Sequence, residues 1–501
     1  MQEQQLSQEQ VHNARGPVEG EVVPSLGTDV KRTLRLFWPI FLGQLSSSAM
    51  GVVDTVMAGA AGTIDLSGVA IGASFYWPCV LFVLGMTLAI QPTIAHLRGA
   101  GKPEEIAAKM HLATVVCLIA SVIIGLLMTL LPLAYKLIPD VNQDMVRIGQ
   151  GYVLAVAIGM PAFAMFNILR GYWEGLGITL PTSIFGVMAL LLNIPLNYIF
   201  IFGKLGMPAL GGIGCGVATT ITIAITVVCM LIYVQKSKRF ENCRLYRQWY
   251  KLEWKEIKDF VRFSMPLGLS ATIEVTCFSL VAVLLSPFGP ITVAAHTIAM
   301  NVSGVLFMLP LSVASATTIR VGEAMGAMHW CRSLRCTISA FMIGAVIYAL
   351  CFSSLFIWHD NIIGLYTDDL EVATLASLLV MFCVAYLLPD SFQVLSIGIL
   401  RGFKDSKTIF IVTIISYWVV GMPIGYTLSY GLITGEKMGA PGFWIGFICA
   451  LSTASVLYLI RLLYLYRTRK LPKALQSNQD KVSQATKEAL AELQKEGELK
   501  A

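Results

Sequence analysis

Four stretches of this chain are longer than a bilayer's hydrocarbon core is thick and contain no Asp, Glu, Lys or Arg: residues 110–135, 175–203, 205–235 and 408–435. A helix of about 20 residues crosses that core, and only a helix or a closed barrel satisfies its own backbone hydrogen bonds there. The stretches lack the apolar–polar alternation of barrel strands, which leaves helices. Across all 501 residues, 56% are hydrophobic and 13% charged, a balance that excludes a soluble domain. The expected fold class is an all-α integral membrane protein with 12 transmembrane helices. The spans fall near 36–58, 66–97, 110–135, 148–170, 180–203, 208–235, 263–285, 291–320, 334–357, 372–400, 408–430 and 441–466.

The charged residues divide the chain further. Residues 1–30 read as a disordered polar tail, with no apolar core before Leu36 and hence no cleavable signal. An N-terminal six-helix lobe follows over 31–235. Residues 236–262 form a basic cytoplasmic linker with nine Lys/Arg against four acids. Leu245, Trp249, Leu252 and Ile257 recur there at roughly helical spacing, so part of it is expected along the membrane surface. Between two spans, such a linker faces lipid headgroups, and no nucleic-acid partner is expected. The C-terminal six-helix lobe covers 263–466, and 467–501 is a charged cytoplasmic tail, read as a solvated helix. With both termini inside, one side of the membrane collects twenty-seven Lys/Arg and the other only Lys136, Arg147, Lys204 and Lys437, with five more in the outer tails. The eleven cysteines are scattered singly and form neither a disulfide framework nor a zinc spacing.

The two lobes resemble each other. LSGVAIGASFYWPCVLFVLGMTLAI from Leu66 aligns with ITVAAHTIAMNVSGVLFMLPLSVAS from Ile291, and ILRGYWEG from Ile168 with ILRGFKDS from Ile399. Six is an even number of crossings, so the lobes are expected to be parallel, pseudo-symmetric repeats about the membrane normal.

Three carboxylates fall inside spans, Asp54, Glu274 and Asp390, and no basic residue is expected to share their depth. Charge at that depth is costly and marks a pathway for ions, protons or substrate. Tyr386 lies one turn before Asp390, Gln393 about one turn after, and Pro389 leaves the Ala385 carbonyl without its helical donor. If Glu274 and Asp390 converge, their mutual repulsion makes the site sensitive to protonation. Asp54 has polar company in Asn193 and Asn197, and in Asn167 if that helix turns inward; Pro195 is expected to break the helix between the two Asn. Asp368 and Asp369 precede the tenth span in a loop without Lys/Arg, either guiding cations or simply solvated. His296 reads as a packing residue. No nucleotide motif, nucleophile–base pair or cofactor signature is present, so neither ATP-driven transport nor an enzyme is expected.

At MGVVDTVMAG, NIPLNYIFIFGKLGMPALGGIGCGVAT, AAHTIAMNVSGVLFMLPLS and SFQVLSIGILRGFKDS the sequence resembles the multidrug and toxic compound extrusion (MATE) family, closest to its NorM-like bacterial branch. The resemblance covers about residues 30–465. It implies a monomer of V-shaped six-helix lobes in the bacterial cytoplasmic (inner) membrane, exporting organic cations against Na+ or H+ by alternating access. Carried over by motif, the ion-coupling residues are Glu274, Asp390, Tyr386 and Asp54, with Na+ at Glu274 and Asp390. Substrate contacts fall on Asp368, Asp369, Asp54 and Asp390. The eighth span departs from the family's Ala-His-Gln, reading Ala295-His296-Thr297. Two alternatives stay open. A lipid-linked-precursor flippase predicts basic residues in the cavity. A lipid-modifying enzyme predicts an acid–base or metal cluster.

Overall fold

A computed structural model describes residues 23–130, 143–246, 249–433 and 435–470. The N-terminal tail up to residue 22, the C-terminal tail from 471 and the end of the expected third span lie outside the described residues. Among those described, twelve helices are long and apolar enough to cross a membrane. They are α1 (Leu26–Ala61), α2a (Thr63–Thr87) with α2b (Ile90–Gly99), α3 (Glu104–Met128), α4 (Gln143–Gly175), α5 (Leu180–Phe202) and α6 (Gly212–Lys236). The second six are α7 (Trp254–Leu284), α8 (Pro290–Gly326), α9 (Trp330–Gly364), α10 (Leu370–Gly402), α11 and α12 (Ala440–Thr468). The eleventh runs in three pieces: α11a (Ser406–Thr413), a π-helical turn (Ile414–Gly421) and α11b (Met422–Ser429).

Several boundaries differ from expectation, each for a physical reason. The tail does not extend to residue 30, because α1 starts at Leu26, where Ser25 accepts the Thr28 N–H at 3.4 Å. The first turn is held further by Asp29, fully buried and ion-paired with Arg320, with Ser339 donating to it at 3.0 Å. The linker ends sooner than 262, because α7 begins at Trp254. Leu245 does not lie on the membrane: it is buried in the protein core, while Trp249 is exposed. Pro389 and Pro195 do not break their helices, which run continuously through both prolines. The Pro389 carbonyl instead accepts from Ser455 Oγ at 2.6 Å. The second span is the one that breaks, at Leu88–Ala89.

Within the first six helices α1 packs on α5, α2a on α4, α3 on α4 and α4 on α6; the same pairings return six helices later as α7 on α11, α8 on α10, α9 on α10 and α10 on α12. The halves meet where α2a crosses α7 and where α1 and α2b meet α8. The closest of these crossings is between the ends of α2b and α8. A Cβ on Gly99 would overlap the Glu323 carbonyl, and one on Gly326 the His96 carbonyl. Arg98 and Glu323 pair beside that crossing at 3.0 Å. Apolar side chains such as Leu126, Leu350 and Val419 stay exposed on the spans, as helices facing lipid require.

Candidate functional site

A cavity of about 350 Å³ sits between the halves, walled by α1, α2, α4, α7, α8 and α10. Glu274 from α7 enters it, and so do Asp390 and Tyr386 from α10. The convergence of Glu274 with Asp390 is therefore present.

Around Glu274 the structure shows a hydrogen-bonded network that the sequence did not reveal. Gln393, three residues after Asp390 and hence on the same helical face, donates to Glu274 Oε1 at 3.3 Å and to the Tyr417 hydroxyl at 2.9 Å. Tyr417 donates to Glu274 Oε1 at 2.6 Å. It lies in the π-helical turn, whose extra residue per turn re-aims side chains and which recurs at functional sites. Sequence reasoning missed Tyr417, because a π-turn has no composition signal and this span holds several other aromatics. Asp390 Oδ2 is buried without a hydrogen-bond partner. Tyr386 packs edge-on against Trp444 at 5.7 Å.

Two basic residues also line the cavity, which corrects the expectation of none within the spans. Arg170 and Arg401 belong to α4 and α10, which continue past the predicted ends to Gly175 and Gly402. Arg170 is neutralised by Glu174 at 2.8 Å, an acid the sequence reading did not single out. Glu174 also accepts from Gln91 at 2.9 Å and from Thr182 at 2.9 Å. Arg401 Nε is buried without a partner.

Asp54 belongs elsewhere. It accepts from Asn197 Nδ2 at 2.6 Å and Thr219 Oγ1 at 2.9 Å, and Asn197 also donates to Asn193 Oδ1 at 2.9 Å. This cluster of α1, α5 and α6 is buried and separate from the residues lining the cavity. Asn167 is not part of it: its amide bonds the Phe163 carbonyl at 2.9 Å, and it faces the cavity. Asp368 and Asp369 are not in the cavity either; both are exposed. Asp369 is the N-cap of α10, accepting the N–H groups of Glu371 at 2.9 Å and Val372 at 3.3 Å. His296 is buried beside Trp444, and Thr297 bonds back to the Val293 carbonyl at 2.8 Å, so the departing motif does not reach the cavity.

Twelve apolar helices, halved around an internal cavity with carboxylates at span depth, form a polytopic membrane transporter. The MatE family matches residues 39–199 and 266–427, one match in each half. The chain is 38% identical over 434 residues to the probable multidrug resistance protein NorM of Idiomarina loihiensis, covering 87% of this chain and 94% of the relative. It is 39% identical over 440 residues to multidrug resistance protein NorM of Aliivibrio fischeri, covering 88% and 95%. Its fold matches the crystal structure of the eukaryotic MATE transporter AtDTX14 with a TM-score of 0.79 at 19% identity, over 88% of this chain and 96% of that one. The chain belongs to the MatE family, in its NorM-like branch. It is a membrane transporter of the multidrug-efflux class, not an enzyme.

Proposed function

We propose that the protein exports organic cations in exchange for Na+ or H+ across the bacterial inner membrane, with its two six-helix lobes alternating access to the central cavity and both termini on the cytoplasmic side. The observation that carries this reading is Asp390, whose buried Oδ2 has no protein partner. A carboxylate in that position is stabilised by a proton or a cation, and few other ligands. Glu274, Tyr386 and the Tyr417 hydroxyl supply further oxygen atoms, the donor type a hard cation prefers. The apolar remainder of the wall, including Phe278, Met300 and Phe307, suits the body of a cationic drug.

Coupling follows if the ion and the drug compete for these carboxylates, since a ligand shifts a conformational equilibrium only by its differential affinity. Asp54, held by the Asn pair away from the cavity, acts on the helix packing of the first lobe rather than on the drug. Asp368 and Asp369 are left with a helix cap and a solvated mouth. A flippase reading gains Arg401 but loses Arg170, which Glu174 neutralises. The test is dye efflux from cells or vesicles with Na+ and pH gradients imposed separately. The gradient of the coupling ion alone, Na+ or H+, should accelerate efflux, and Asp390→Asn should abolish it at unchanged membrane abundance. Wild-type efflux by Asp390→Asn refutes the mechanism.

A further inference from the structure

A second pocket, of about 820 Å³, opens beside the crossing of α2b and α8. Its walls carry six guanidiniums, from Arg32, Arg35, Arg98, Arg239, Arg320 and Arg332, against one carboxylate, Glu323. Arg320 is answered by Asp29 behind the wall. Glu323 is divided between Arg98 and Arg332, each at 3.0 Å. Arg32, Arg35 and Arg239 are exposed, and among the described residues no carboxylate pairs with them. The pocket therefore concentrates positive charge that the protein leaves unbalanced.

Its shape is graded as well as charged. Arg32, Arg35, Leu36 and Pro39 follow one face of α1, so over about 10 Å of helix the wall changes from guanidinium to hydrocarbon. Leu180, 52% exposed at the start of α5, extends the apolar part. Guanidiniums favour phosphate. Trp38 on the adjacent face of α1 is 56% exposed, as a residue of the membrane interface is. A cationic mouth above an apolar floor at the edge of the spans fits an amphiphile with an anionic head, and is larger than a free phosphate needs.

We propose that this pocket binds the phosphate headgroup of an anionic phospholipid, with an acyl chain over Leu36, Pro39 and Leu180. Arg32, Arg35 and Arg98 come from the first half, Arg239 from the linker that follows it, and Arg320 and Arg332 from the second half. The headgroup spans both halves only while the ends of α2b and α8 are together. Anionic lipid thus favours this arrangement over one in which those ends part.

The experiment is native mass spectrometry of the full-length protein titrated with phosphatidylglycerol, phosphatidylcholine or inorganic phosphate. Phosphatidylglycerol should be retained in preference to phosphatidylcholine. The R32Q/R35Q/R239Q variant should weaken its binding by about five-fold per arginine, on the order of 100-fold in all. Equal retention of the two lipids, or undiminished retention by the variant, overturns the proposal. Displacement of phosphatidylglycerol by inorganic phosphate at equal concentration assigns the pocket to a free anion and overturns it too. If the triple variant does not fold, R239Q alone, on the exposed linker, should lose about five-fold, and wild-type binding by R239Q counts against the site.

Discussion

The crossing of α2b and α8 offers the sharpest perturbation of alternating access. Gly99 and Gly326 end their helices with each backbone pressed on the other, and the atom a new methyl would meet is a backbone carbonyl. No change of rotamer relieves such an overlap. One extra methyl in a filled interior costs roughly 1–3 kcal/mol. Because backbone must move here, the upper value applies, and about 3 kcal/mol corresponds to a population change of roughly 100-fold. Gly99→Ala is therefore expected to depopulate the arrangement with these ends together, without touching any residue of the central cavity. Pulsed EPR distances between labels in the loops at 100–103 and 327–329, in a background with the native cysteines replaced, would read the separation directly. Dye efflux would read its consequence, a fall of similar size if that arrangement is obligatory in the cycle. Gly326→Ala should repeat the result from the other helix. A wild-type distance distribution together with wild-type efflux in Gly99→Ala would refute the reasoning.

Three further outcomes are expected. Arg320→Met leaves Asp29 buried without its cation, at a cost of about 3–5 kcal/mol; thermal unfolding in detergent should show the loss, adding Asp29→Asn should recover part of it, and an unchanged Tm would disprove the pairing. Asp369→Ala removes the α10 cap for about 1 kcal/mol of stability without changing the KM for a cationic dye, whereas a raised KM would put the loop in contact with substrate. Lys404, half-buried in the loop after α10, has its ammonium lowered to about 8 by burial and then by the Lys109 charge. The unfolded chain holds that proton up to about 10.4, so this group should add stability as pH rises through 8 towards 10. The same rise in Lys404→Gly, followed by circular dichroism, would contradict this assignment.

The candidate site was half legible. Asp390, Glu274 and Tyr386 announced themselves, because a carboxylate inside an uncharged helix has few structural uses and each sits in a long apolar run. Their partners did not. Tyr417 reaches Glu274 only through a π-turn, and Glu174 stood just beyond a span boundary drawn at Arg170. Asp54 carried the same signal as Asp390, yet it ends in a closed hydrogen-bonded cluster, because Asn197 and Thr219 reach it from neighbouring helices. Asp368 and Asp369 carried the weakest signal, two acids in an exposed loop, and Asp369 proves to be a helix cap.

The sequence by itself determined the number of spans, since lipid offers the backbone no hydrogen-bond partner and length and apolarity suffice to identify each crossing. It also determined which side chains are costly at depth, because that cost depends on residue type alone. Only the tertiary structure decided which costly groups share a volume, which are neutralised, and which are left with an oxygen that no donor meets. Those outcomes depend on how helices rotate and cross. Here Gly99 and Gly326 at one crossing, a π-turn in α11 and a carboxylate reaching back from Asp29 to Arg320 set the crossings and rotations, and none of them has a period or a composition to read.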